Sequence, residues 1–144
     1  MRKAILAFLI IVAVVSAGVV FTIHLACAEQ ASIEKVIAYY FHGSFRCPTC
    51  HKLEQYSKEA IETNFKDALA SGKLEFKVVN VEDKGNEHFV NDYQLYTKSL
   101  VISLTENGKE VKSKNLTKIW DYVGNKQKFF DYVTVEINNF LKGS

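Results

Sequence analysis

Two cysteines, two histidines and the only proline of the chain fall within eleven residues, FHGSFRCPTCH, Phe41 to His51. Cys47 and Cys50 stand three apart, the spacing of a dithiol that can close to a disulfide and open again. The same letters, with His51 following, also spell the attachment pattern of a covalently held haem, and two thiolates with a neighbouring imidazole are half of a soft-metal site. The elements around the motif and the ligands elsewhere in the chain have to choose among these chemistries.

A haem held in this way takes His51 as one axial ligand and needs a second from Met or His. Met1 is the only methionine and lies at the extreme N-terminus, which leaves His42 and His88, and nothing in their surroundings marks either. A closed metal site needs three or four ligands; His51 and His42 are at hand, but no second C-x-x-C or C-x-x-H completes the set. Binding of a metal or an arsenical through the thiols therefore stands as the alternative to redox chemistry, with haem behind it. A purely structural staple is weak, because closing so short a loop is worth only about 2 kcal/mol.

The redox chemistry asks for a strand that delivers Cys47 to the open end of a helix. Ahead of the motif, IEKVIAYYFH (Ile33 to His42) is β-branched and aromatic, the pattern of a central strand covered on both faces. Behind it, Leu53, Tyr56, Ala60, Ile61, Phe65, Ala68 and Leu69 recur at helical spacing, which predicts one amphipathic helix ending at Ser71-Gly72. At such a helix start, free N–H groups and the helix dipole lower a thiol pKa from about 8.5, so Cys47 is the candidate attacking thiolate and Cys50 the resolving one. Pro48 suits the first helical turn, where its missing N–H costs nothing. Arg46 and His51 add candidate positive charge beside the sulfurs.

The rest of the chain continues the alternation. KLEFKVVNVE (Lys73 to Glu82) reads as a second strand, Glu87 to Leu95 as a short helix and SLVISLT (Ser99 to Thr105) as a third strand. Asn107-Gly108 is a strong hairpin signal, and KEVKSK returns as an edge strand guarded by lysines. From Asn115 to Lys142, Leu116, Ile119, Trp120, Val123, Phe129, Val133, Ile137 and Phe140 keep a helical period, broken into two helices at Gly124-Asn125. Asn115 is expected to cap the first of these and Trp120 to lie in the core. The order β-α-β-α-β-β-α predicts an α/β domain with a mixed sheet of about four strands flanked by helices.

The first 28 residues are read apart from this domain. Arg2 and Lys3 precede an uncharged apolar run from Ala4 to Ile23, a signal segment or a membrane anchor. Ala26-Cys27-Ala28 fits a cleavage pattern, so removal after Ala28 is favoured over retention as an anchor, and the folded domain is expected over residues 29–144. Either way the domain is expected outside the cytoplasm, periplasmic or held at the membrane by an uncleaved segment, where a disulfide persists. Removing Arg2 and Lys3 from the 18 basic residues leaves 16 against 16 acidic ones, with Arg46 the only arginine. A neutral domain with scattered lysines argues against nucleic acid as a partner.

The strand VIAYYFH, the helix-opening CPTC, KVVNVE and NDYQLYTKSLVISLTENGKEV together resemble the thioredoxin superfamily over essentially the whole domain. More narrowly, YYFHGSFRCPTCHKLE resembles the thioredoxin-like nitrophenyl compound nitroreductase subunit ArsF family. The resemblance implies a thioredoxin-like fold, disulfide exchange through Cys47 and Cys50, a protein redox partner, with a membrane-bound electron donor a further candidate, and no cofactor beyond the Cys47–Cys50 disulfide. No flavin or nicotinamide fingerprint follows any strand, so nitroreduction would need a partner subunit. Two departures from thioredoxin stand out. The acidic residue expected six positions before the first cysteine is Phe41, and the cis-proline facing the cysteines falls at Ser99 or Leu100, neither of which is proline. A cis bond without proline costs about 3 kcal/mol, so a trans peptide or a reshaped loop is expected there.

Overall fold

The computed structural model of the chain describes residues 33–143. The expected signal or anchor segment, with Cys27 and the cleavage point after Ala28, lies outside the described residues. Among the described residues no helix is long and apolar enough to cross a membrane.

Strand β1 (Glu34–His42) is an inner strand of the sheet, as its apolar run predicts. It pairs in parallel with β2 (Leu74–Asn80) on one side and antiparallel with β3 (Ser99–Glu106) on the other. Strand β4 (Lys109–Asn115) closes the far edge, giving the order β2-β1-β3-β4. The β3–β4 hairpin turns at Asn107 and Gly108, with φ of 52° and 81°, the left-handed pair that a tight two-residue hairpin requires. Asn107 also reaches the start of β1: its N–H donates to Ile33 O at 2.9 Å and its Oδ1 accepts from Ile33 N at 3.1 Å.

Alternation along β1 divides the core in two. Val36, Ala38 and Tyr40 join Leu100, Ile102 and Leu104 of β3 in a large cluster with Leu53, Ile61, Phe129, Val133 and Ile137. These last five belong to α1 (Pro48–Asn64) and α5 (Lys126–Leu141), which pack on that face. Phe41 and Val101 point to the opposite face, where Leu95 and the half-buried Phe89 and Tyr93 cover them. Phe89 lies in the short α3 (His88–Asp92), and Tyr93 follows it directly. A parallel β-α-β pair followed by an antiparallel hairpin and a closing helix is the thioredoxin-like α/β arrangement.

Two expectations are corrected. The helix after the cysteines does not run unbroken to Leu69: α1 ends at Asn64, Phe65 adopts φ −130° and ψ 34°, and α2 (Lys66–Ala70) starts afresh. Phe65 is only 6% exposed, and the break turns its ring into the core while its N–H still reaches Ile61 O at 3.0 Å. Asn64 reinforces the break, its side-chain amide donating to Ala60 O and to Thr134 Oγ1, both at 3.0 Å. Gly72, at φ 75°, takes the expected left-handed position just beyond α2.

Asn115 does not cap a helix. It is the last residue of β4, paired with Val101, and the next helix, α4 (Ile119–Tyr122), follows Lys118 without a side-chain cap. Ladder pairing of its backbone wins over the local capping preference. Trp120 is half-buried against the core, and its Nε1 donates to Lys98 O at 2.9 Å. The Gly124-Asn125 break stands as expected, and there Asn125 Oδ1 accepts from Lys128 N at 3.1 Å to cap α5.

Candidate disulfide site

Cys47 and Cys50 meet where β1 has ended and α1 begins. Their Cα atoms lie 5.1 Å apart and the two sulfurs are joined in a disulfide. Cys47 occupies the N-cap position with extended backbone, and its Sγ accepts from Cys50 N at 3.2 Å, as a capping hydroxyl would. Its carbonyl accepts from His51 N at 3.1 Å, which starts the helical ladder. The pair is asymmetric in burial: Cys47 is half-buried, whereas Cys50 is 2% exposed. Only the first sulfur is open to an incoming group.

Pro48 stands in the first turn, as its missing donor suits. His51 is exposed on that turn. His88 is exposed on α3, where its Nδ1 lies 2.6 Å from Asp92 Oδ2. Among the described residues no group of three or more His, Cys, Asp or Glu side chains converges into a ligand set.

Arg46 does more than flank the site. Its side chain is 20% exposed and Nη2 is ion-paired with the Glu54 carboxylate, itself 27% exposed, on the second turn of α1. Tyr40, wholly buried, donates its hydroxyl to Cys50 O at 2.7 Å. Burial holds the Tyr40 phenol well above its ordinary pKa; Arg46 pulls it down and Glu54 pushes it up. Neither Tyr40 nor Glu54 was visible as a site residue in the sequence. The available signal was spacing: Glu54 follows Cys50 by four residues and Cys47 by seven, on one helix face.

The loop from His42 to Cys47 is fixed from outside by Glu82. Ser44 N donates to Glu82 Oε2 at 3.0 Å, and Ser44's hydroxyl and N–H hold that carboxyl below the usual carboxylate range. Gly43 lies so close that an added Cβ would collide with the same carboxylate. Phe41, which stands six residues before Cys47 where an acid was expected, belongs to the face of the sheet covered by Leu95, Phe89 and Tyr93.

Ser99 and Leu100 are 4% and 0% exposed and start β3 rather than forming a loop beside the cysteines. Ser99 Oγ donates to Thr97 O at 2.9 Å, and no peptide bond among the described residues is cis. The segment before them is more open: the exposed Tyr96 and Thr97 and the half-buried Lys98 share a cleft of about 150 Å³ with His42, Gly43 and Glu82. Lys98 Nζ also lies 6.0 Å from the ring centre of Phe45, two residues ahead of Cys47.

A thioredoxin-like sheet that carries a C-x-x-C disulfide at the start of its first helix defines the class of the molecule. No family model and no curated protein matches the chain. Among solved structures it is similar to Trxlp from Edwardsiella tarda EIB202, at 16% identity and a TM-score of 0.42 over 69% of this chain and 82% of that one. It is also similar to oxidised thioredoxin O2 from Arabidopsis thaliana, at 8% identity and a TM-score of 0.40 over 67% and 76% of the two chains. Fasciola hepatica thioredoxin gives 21% identity and a TM-score of 0.37 over 64% and 81%. The class rests on this chain's own strand order and pairing.

Proposed function

We propose that the chain is an extracytoplasmic thiol–disulfide exchange protein in which Cys47 attacks and Cys50 resolves. The observation that carries this reading is the asymmetry of the pair. Cys47 is accessible at an N-cap where a helix N–H already points at its sulfur, and Cys50 is buried one turn further in.

In the direction of partner oxidation, a partner thiolate attacks Cys47 Sγ, a mixed disulfide forms, and the bond to Cys50 breaks with Cys50 leaving as thiolate. The partner's second thiolate then attacks its own half of that bond, releasing Cys47. Two electrons pass from the partner to the Cys47–Cys50 pair, and two protons follow them. Reversal of the same steps reduces a partner disulfide, with Cys47 attacking and Cys50 resolving.

A protein partner is favoured by what surrounds Cys47. Phe45, two residues ahead of Cys47, is 78% exposed, and Tyr96, in the cleft with His42 and Gly43, is 93% exposed; exposed aromatic side chains of this kind suit a peptide surface. In this reading Pro48 fixes the first turn and Arg46 and His51 supply charge. Ser99 and Leu100 act from inside β3 by holding the 95–98 loop. The apolar run ahead of the domain favours an extracytoplasmic setting, with a membrane-bound electron donor as one candidate partner. The Tyr39 to Glu54 block's resemblance to the nitroreductase subunit family extends the proposal to a partner subunit that would bring any flavin or nicotinamide chemistry.

Substitution separates the roles. Cys50→Ser is expected to accumulate a Cys47-linked mixed disulfide with partner proteins or glutathione, seen by mass before and after reduction, while Cys47→Ser accumulates none. Equal trapping by both variants, or none by either, overturns the assignment.

A further inference from the structure

Arg46 uses one arm of its guanidinium on Glu54. A second donor of the same fork, Nε, is buried and has no acceptor, the one such side-chain atom among the described residues. A buried donor left unpaired is costly, and a disulfide sulfur, being uncharged, is a weak acceptor. Reduction changes the neighbourhood, because Cys47, next in the chain to Arg46, then offers a thiolate. A planar guanidinium with five donors can serve two anions at once.

Glu54 is placed to modulate this. At 3.6 residues per turn, its position four beyond Cys50 and seven beyond Cys47 sets it on the helix face of both sulfurs. Tyr40 completes the group from below through its bond to Cys50 O. We infer that Glu54 is a poise-setting residue: the Arg46 cation is paired with the Glu54 carboxylate and stands next in the chain to a second anion that exists only in the dithiol state, the Cys47 thiolate. Arg46, with its unpaired Nε, favours the dithiol; Glu54, by neutralising Arg46, opposes it. The inference rests on the exchange reading and adds to it a regulator of the redox equilibrium.

The test is equilibration of the full chain with glutathione buffers at neutral pH. There two glutathione thiols reduce the Cys47–Cys50 bond to two thiols and leave as glutathione disulfide. Arg46→Ala is expected to move the equilibrium about tenfold toward the protein disulfide, about 30 mV, and Glu54→Gln by a similar factor toward the dithiol. Arg46→Lys, which keeps the charge and lacks Nε, is expected to shift in the direction of Arg46→Ala but less far; a value equal to wild type overturns the part assigned to Nε.

Thiolate absorbance of the reduced protein against pH gives a second readout, Cys47 ionising later in Arg46→Ala and earlier in Glu54→Gln. Shifts of the same sign in both variants, or thermal destabilisation of both with no redox shift, overturn the inference and leave a merely structural ion pair. Failure of the wild-type protein to equilibrate with glutathione at all would instead sink the exchange reading on which it stands.

Discussion

The hydroxyl of Tyr40 donates to the carbonyl of Cys50 at 2.7 Å from a wholly buried position, so an inner strand of the sheet holds the backbone of Cys50 directly. Tyr40→Phe removes that donor and little else. It is expected to lower unfolding stability by about 1 kcal/mol, measured by urea titration, and to speed amide exchange in the first turn of α1.

Tyr40 and Tyr93 also set an alkaline limit. Burial raises both phenols above their ordinary value, with Tyr93 raised further by its bond to Glu110, 2.5 Å from its hydroxyl. Folded pKa values above the unfolded one mean that, beyond about pH 10, the unfolded chain releases protons that the native chain keeps. Stability is therefore present in full below that pH and lost as pH rises through it. Urea midpoints followed upward from neutral pH should fall, and the fall should be shallower in Tyr40→Phe.

Restoring an acid at the position six residues before Cys47 is expected to fail. Phe41 is 1% exposed and packs against Phe89 at 5.1 Å, Tyr39 at 5.4 Å and Tyr93 at 5.5 Å between ring centres. Phe41→Asp would remove this ring and place a carboxyl among apolar neighbours, costing about 3 kcal/mol or more in thermal or urea unfolding. A stable variant with faster exchange would show that the acid belongs there after all.

Trp120 ties the 95–98 loop to the closing helices through Lys98 O. Trp120→Phe keeps most of the packing and loses the bond, so a stability loss of about 1 kcal/mol is expected by circular dichroism melts. Since Trp120 is the only tryptophan, its fluorescence in the unaltered chain should also change when a partner peptide settles against Tyr96 and Lys98.

What could be read in advance was local or periodic. The apolar run of β1, the Asn107-Gly108 turn and Cys47 opening a helix each depend on neighbours a few residues away, and each stands in the structure. The break at Phe65 did not show, because the apolar period continues through it and burial of the ring decides the matter. Asn115 carried a capping pattern that was overridden by pairing with Val101. The contacts beneath the disulfide were hidden for a related reason. Tyr40 looked like one more apolar strand residue, and Glu54 like one more charge on an amphipathic helix. Their roles depend on which face of β1 meets the first turn of α1.

The clasp between Asn107 and Ile33 bears on how the domain would carry load. It grips the chain where it enters β1, and β1 is hydrogen-bonded to β2 on one side and β3 on the other. A pull on the polypeptide ahead of Ile33 is directed along that strand and stresses both ladders in shear, many rungs together, instead of unzipping an edge rung by rung. The chain enters the domain along its doubly paired strand, and the disulfide sits beyond the far end of the same strand.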